Sequence, residues 1–248
     1  MLKVEDHGHV RLLTLDRPEK SNALHPDLIA ALGDALGKTG GEQHVHVVLL
    51  TGAGKRFSGG LDLKHLTGLE PDERIGYMGS LFSIFRQLRA LPQPVIAAVN
   101  GPAIAGGFDL AAFCDLRLCA RSATFAQAEI LLGITQVAYP LYKVIGLSRA
   151  LELALTGDAI DATEAHRIGL VSHVFEDGEL MEHAMAFAQR MATRPPEALF
   201  ATKRLTHDLI ELDTEAAFGR MFEAISERLL APEHQEALAA YMDQLKRR

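Results

Sequence analysis

Pro94-Val95-Ile96-Ala97-Ala98-Val99-Asn100-Gly101-Pro102-Ala103-Ile104-Ala105-Gly106-Gly107-Phe108-Asp109-Leu110-Ala111 is the stretch on which the architecture turns. Its first six residues are continuously apolar and end at Asn100, the pattern of a strand buried on both faces. A glycine-rich turn follows, and Phe108 to Cys114 reads as helix. The same grammar stands upstream. Val45 to Leu50 is a second continuous apolar strand, Thr51-Gly52-Ala53-Gly54-Lys55-Arg56-Phe57-Ser58-Gly59-Gly60 a second glycine-rich loop, and Glu73 to Leu91 a helix stopped by Pro92 and Pro94. Further out, His9 to Leu15 is a strand, Arg17 to Asn22 a loop, and Leu28, Ala31, Leu32, Ala35 and Leu36 mark one face of a helix between Pro26 and Gly37. Leu116 to Ala120 and Ala123 to Ala126 are short strands. Beyond Ser148 the chain reads as almost entirely helical, with Ala184 to Thr193, Glu197 to Leu212 and Thr214 to Leu245 carrying long apolar stripes. The fold class is α/β, with a core over 1–170 and a helical region over 171–248 that serves subunit contact and covers the pocket.

A length of 248 residues, 48% of them hydrophobic and 23% charged, is one large domain, or one with a small appendage, and has ample material for a core. Twenty-five basic against 32 acidic side chains leave a net charge of −7, so no global positive field is available to hold nucleic acid. Cys114 and Cys119 are too few for a disulfide framework; read on one strand, their spacing puts them on opposite faces as packed thiols. The opening Met1-Leu2-Lys3-Val4-Glu5-Asp6 lacks an apolar signal core, and every apolar stretch is interrupted before the roughly 18 residues of a bilayer span. A cytoplasmic protein without a membrane partner is expected. His7/His9 and His44/His46 are close pairs with no third ligand at suitable spacing, so no metal is expected.

Phosphate chemistry does not fit the first loop. After Gly52 and Gly54 the third dinucleotide glycine is replaced by Phe57, and Gly54-Lys55 runs into Arg56 where a phosphate loop has Ser or Thr. Ser58 is not in a nucleophile elbow, because Arg56 holds the first glycine position. A glycine loop entering a helix can instead leave backbone N–H groups free to stabilise a developing oxyanion, although tight turns alone would also explain the glycines. Asp109 and Glu129, each set among apolar neighbours, are the candidate acid/base pair; the residues alone leave open a capping or ion-pair role for both.

Four ordered segments carry a resemblance. Arg17-Pro18-Glu19-Lys20-Ser21-Asn22-Ala23-Leu24, Phe57-Ser58-Gly59-Gly60-Leu61-Asp62-Leu63-Lys64, Pro94 through Cys114-Asp115, and Leu155-Thr156-Gly157 through Gly169-Leu170-Val171 resemble the enoyl-CoA hydratase/isomerase (crotonase) superfamily over nearly the whole chain. The resemblance implies the crotonase fold, stacked ββα units followed by a helical region that mediates trimers or hexamers. It implies an acyl-CoA thioester substrate, coenzyme A being part of that substrate and no separate cofactor being needed. It places oxyanion-hole donors at the N–H groups of Gly59 and Gly106. Substrate binding falls to Ala23, Gly59, Gly60, Leu61, Asp62 and Gly106, with Lys20 and Lys64 as phosphate neighbours or solvated lysines. Glu129 and Asp109 take the two acid/base positions.

Two departures stand out. Asp109 is one methylene shorter than the family's usual glutamate, and Leu131 to Pro140 replaces a run rich in proline and glycine. The further aspartate of the family's dienoyl-CoA isomerases falls here at Val137. Hydration of a trans-2-enoyl-CoA is the leading expectation, double-bond isomerisation with Glu129 as proton shuttle the second. A non-catalytic oligomeric acyl-CoA binder is the rival of another class.

Overall fold

The computed structural model describes residues 1–246. Strands β1 (Leu2–His7) and β2 (Val10–Leu15) form a hairpin and lead through α1 (Pro26–Gly40) to β3 (Val47–Gly52). After α2 (Leu63–Thr67) and α3 (Pro71–Ala90) come β4 (Val95–Val99), β5 (Ala103–Ile104), α4 (Gly106–Ala112), β6 (Leu116–Ala120) and β7 (Thr124–Ala126). Two short helices, α5 (Leu141–Ile145) and α6 (Leu147–Thr156), precede β8 (Ile160–Asp161), α7 (Ala162–Arg167) and β9 (His173–Phe175). The chain finishes in α8 (Leu180–Ala192), α9 (Pro196–Leu209), α10 (Thr214–Leu230) and α11 (Pro232–Lys246).

Six strands make the main sheet in the order β1-β2-β3-β4-β6-β9, parallel except for the β1/β2 pair. A smaller sheet, β5-β7-β8, stands beside it. Side-chain alternation explains the continuous apolar runs. Val48, Leu50, Val95, Ala97 and Val99 face a core shared with α1 and α3, whereas Val47, Leu49, Ile96, Ala98 and Leu118 face Leu180, Ala184, Ala188 and Ala192 of α8. Three alanines at four-residue spacing give α8 a narrow face that lies close on the sheet.

Several elements differ from expectation. Strand β1 is unanticipated because only Leu2 of its six residues is even partly buried; it pairs in register with β2 from Leu2–Leu15 to His7–Val10. Past residue 170, β9 joins the main sheet beside β6 and α8 closes the sheet's second face, so the α/β body draws on residues up to Ala192. The apolar stretch over 214–245 is carried by two helices, α10 and α11, parted at Ala231-Pro232, where proline cannot continue the hydrogen-bond ladder. Cys114 lies just past the end of α4 and only Cys119 is on a strand, so the two thiols do not share one; both are buried and free. Among the described residues no helix is long and apolar enough to cross a membrane.

Candidate active site

Local chemistry first fastens two loops together. Asn22, fully buried at φ +50°, donates its amide to the carbonyls of Ala53 (2.9 Å) and Arg56 (2.7 Å), while its Oδ1 accepts from Arg17 N (2.9 Å). The Ser58 hydroxyl donates to Asn22 O at 2.9 Å, a buried structural bond that leaves it no role as a nucleophile. Arg17 donates to Ala23 O (2.9 Å) and pairs with Asp62 at 3.2 Å. Asp62 also caps α2 through His65 N, and Tyr77 Oη accepts from Asp62 N at 3.0 Å. Burial raises the Asp62 carboxyl pKa, but the His65 N–H and the Arg17 guanidinium outweigh it and hold the group below its usual range.

Those struts set the 59–62 segment against the start of α4. Gly60 has φ +82°, and a Cβ placed there would stand 2.9 Å from Ile104 O and 3.0 Å from Gly106 N, so only glycine allows this approach. Opposite it, Ala105 holds φ +51° and ψ −132° between β5 and α4, a conformation that costs about 1–3 kcal/mol. The Ala105 carbonyl accepts from Phe108 N (2.7 Å) and Asp109 N (3.0 Å). Gly106, the first helical residue, keeps an N–H without an intrahelical acceptor and lines the cavity described below.

The expected partner donor needs correction. Gly59 N–H already donates to Ser21 O at 2.9 Å. Two residues on, Leu61 lines the same cavity and its N–H meets no acceptor among the described residues. The pair of free backbone donors is therefore Leu61 and Gly106. Sequence patterns could not separate Leu61 from Gly59, since a backbone donor has no side-chain signature.

The cavity, of about 420 Å³, is lined by Gly59, Leu61, Gly106, Asp109 and Glu129 together with apolar side chains of α3 and of the 131–139 segment. Asp109 is carried on the first turn of α4; Glu129 stands on a 3-10 turn, Ala128–Leu132, directly after β7. Burial, then the neighbouring Glu129 charge, pushes the Asp109 carboxyl up to about 7. Burial raises Glu129 as well, and its Oε2 is buried without a hydrogen-bond partner among the described residues. Sequence reasoning missed two residues here. Gln127 Nε2 donates to Asp109 Oδ1 at 3.2 Å, and Gln136 Nε2 donates to Asp109 Oδ1 and Oδ2 at 3.2 and 3.4 Å. Gln136 comes from the 131–139 segment of the cavity wall.

This titration has a stability consequence. With a carboxyl pKa of 3.8 unfolded and about 7 folded, neither state is charged at Asp109 below 3.8; between 3.8 and 7 only the unfolded chain releases its proton, so stability falls as pH rises through that window and levels off above 7. Asp109→Asn removes the effect. The melting temperature of Asp109→Asn relative to the native chain should therefore climb between pH 4 and pH 7.5, and a pH-independent difference in calorimetry would show that Asp109 titrates as an ordinary surface carboxylate.

The remaining candidates fall outside the cavity wall. Ala23, Gly60 and Asp62 lie on the neighbouring loops, Gly60 buried with its carbonyl accepting from Leu24 N at 2.8 Å, and the Asp62 carboxylate is committed to Arg17. Lys20 and Lys64 are exposed. Val137 is an exposed part of the wall, with no acid in its place. His9 and His46 stack at 4.1 Å, each engaging a carbonyl through Nδ1, and among the described residues no three metal-ligating side chains converge.

A twisted parallel sheet that brings two free N–H donors and two carboxylates with raised pKa values onto one apolar cavity is the framework of an enzyme that activates a carbonyl next to a site of proton transfer. The enoyl-CoA hydratase/isomerase family model matches residues 5–248, and the chain belongs to that family. It is 34% identical to the short-chain-enoyl-CoA hydratase of Clostridium acetobutylicum, over 98% of this chain and 95% of that one. It is 31% identical to the crotonyl-CoA hydratase of Syntrophomonas wolfei, with the same coverage. The crystal structure of the Bacillus anthracis enoyl-CoA hydratase superposes with a TM-score of 0.95 at 31% identity, covering 98% of this chain and 96% of that one. The fold is the crotonase fold.

Proposed function

We propose that this protein is an enoyl-CoA hydratase, adding water across the double bond of a trans-2-enoyl-CoA. The observation that carries this reading is the presence of Leu61, Gly106, Asp109 and Glu129 on one cavity. The Leu61 and Gly106 N–H groups polarise the thioester carbonyl toward an enolate, each donor worth about 3 kcal/mol in the transition state. Glu129, with one carboxylate oxygen free of partners, takes a proton from the attacking water as its oxygen bonds to C3. Asp109, its carboxyl pKa raised by burial and by Glu129, positions that water and assists return of a proton to C2. No separate cofactor enters the scheme. The loops carrying Ala23, Gly60 and Asp62 border the coenzyme A portion, with Lys20 and Lys64 beside its phosphates.

One observation favours a second reading. The Gln127 and Gln136 amides already hydrogen-bond Asp109, which limits its grip on water and suits isomerisation by Glu129 alone. Crotonyl-CoA separates the possibilities. Loss of its ultraviolet enoyl absorbance supports hydration, gain of absorbance from a 3-enoyl-CoA supports isomerisation, and coenzyme A binding without either supports a non-catalytic binder.

Assembly belongs to the same proposal. Phe218, Phe222, Leu229 and Leu230 on α10 are exposed, Leu230 to 86%, and no residue of α10 is buried in the protomer. The helical region thus mediates a homo-oligomer, trimer or hexamer, and a monomer mass in sedimentation at micromolar concentration would refute it.

A further inference from the structure

The cavity offers more apolar wall than a four-carbon acyl group can touch. With the thioester carbonyl at Leu61 and Gly106 and with C2 and C3 at the two carboxylates, a crotonyl group has a single methyl left to place. The wall goes on beyond that point. Phe113, just past the end of α4, follows Asp109 by four residues, its N–H donating to Asp109 O at 2.9 Å, and so stands about 6 Å further along the helix axis. Its ring stacks on Phe85 of α3 with centroids 4.6 Å apart and planes within 7°, and Tyr139 closes on it at 5.9 Å. Phe82, Leu131 and Val137, exposed to 51%, 70% and 63%, extend the same wall outward. Large side chains left this open on a cavity wall match an apolar guest that covers them.

Resting on the hydratase reading, we infer that the substrates are enoyl-CoAs of medium or longer chain, of about eight carbons or more, whose tail runs outward from Phe113 along Phe82, Leu131 and Val137. Each methylene newly buried is worth up to roughly fourfold in binding. The gain falls mainly on KM, because the tail is held equally in ground and transition states.

The test is turnover of trans-2-enoyl-CoAs of four, six, eight, ten and twelve carbons by the whole chain. kcat/KM is expected to rise at least tenfold from four to ten carbons, with KM carrying most of the change. Phe82→Asp, at an exposed position on α3, sets a charge on the tail's path and should lower the ratio of ten-carbon to four-carbon kcat/KM by tenfold or more. A flat series, a four-carbon optimum or an unmoved ratio in Phe82→Asp overturns the chain-length inference and leaves the hydratase reading intact. Absence of turnover at every length overturns the hydratase reading itself, and this inference with it.

Discussion

Glu129→Gln is expected to lower turnover of every enoyl-CoA by 10²- to 10⁴-fold, the usual worth of a positioned general base. The substitution keeps the size of the side chain and its capacity to hydrogen-bond, but an amide cannot take a proton at the position where Oε2 now stands without a partner. Acyl-CoA affinity should stay close to native, since the apolar wall and the backbone donors are untouched, and the melting temperature should hold or rise, because a buried amide is cheaper than a buried carboxylate. Asp109→Asn provides the comparison, severe for water addition and milder for isomerisation. Should Glu129→Gln retain full activity on each substrate, the acid/base scheme is wrong and the two donors serve some other carbonyl chemistry.

Gly60→Ala is expected to cost at least about 100-fold in kcat, the typical loss on removal of one oxyanion donor. Its new methyl would meet the backbone at Ile104 O and Gly106 N, 2.9 and 3.0 Å away, at φ +82°, so the loop carrying Leu61 must part from α4. Gly59→Ala is the control. A Cβ there stands 3.4 Å from Ser21 Cβ, ordinary contact, and turnover should stay within a few-fold of native. Equal activity in the two variants would mean that the approach of the loops is not what aligns the donors.

The parts of the molecule legible beforehand are those in which side chains carry the signal. Strands β3 and β4 read correctly because burial on both faces demands unbroken apolar runs, and Asp109 and Glu129 drew attention as acids in apolar surroundings. Strand β1 was opaque because its residues face solvent, and β9 because three residues beside β6 leave no periodicity to detect. The Gly59 assignment failed for a related reason: which N–H is free depends on where the Ser21 carbonyl points, a fact of tertiary structure. Gln136 escaped notice because a glutamine in a loop is unremarkable until the fold sets it on Asp109.

The alanine face of α8 bears on how the protein is made. Val47, Leu49, Ile96, Ala98 and Leu118 are synthesised long before Ala184, Ala188 and Ala192, which cover them. On the ribosome, a nascent chain of 170 residues therefore carries a nearly complete sheet with one apolar side bare, a species prone to aggregate or to engage chaperones. Closure of that side waits for α8 to leave the exit tunnel.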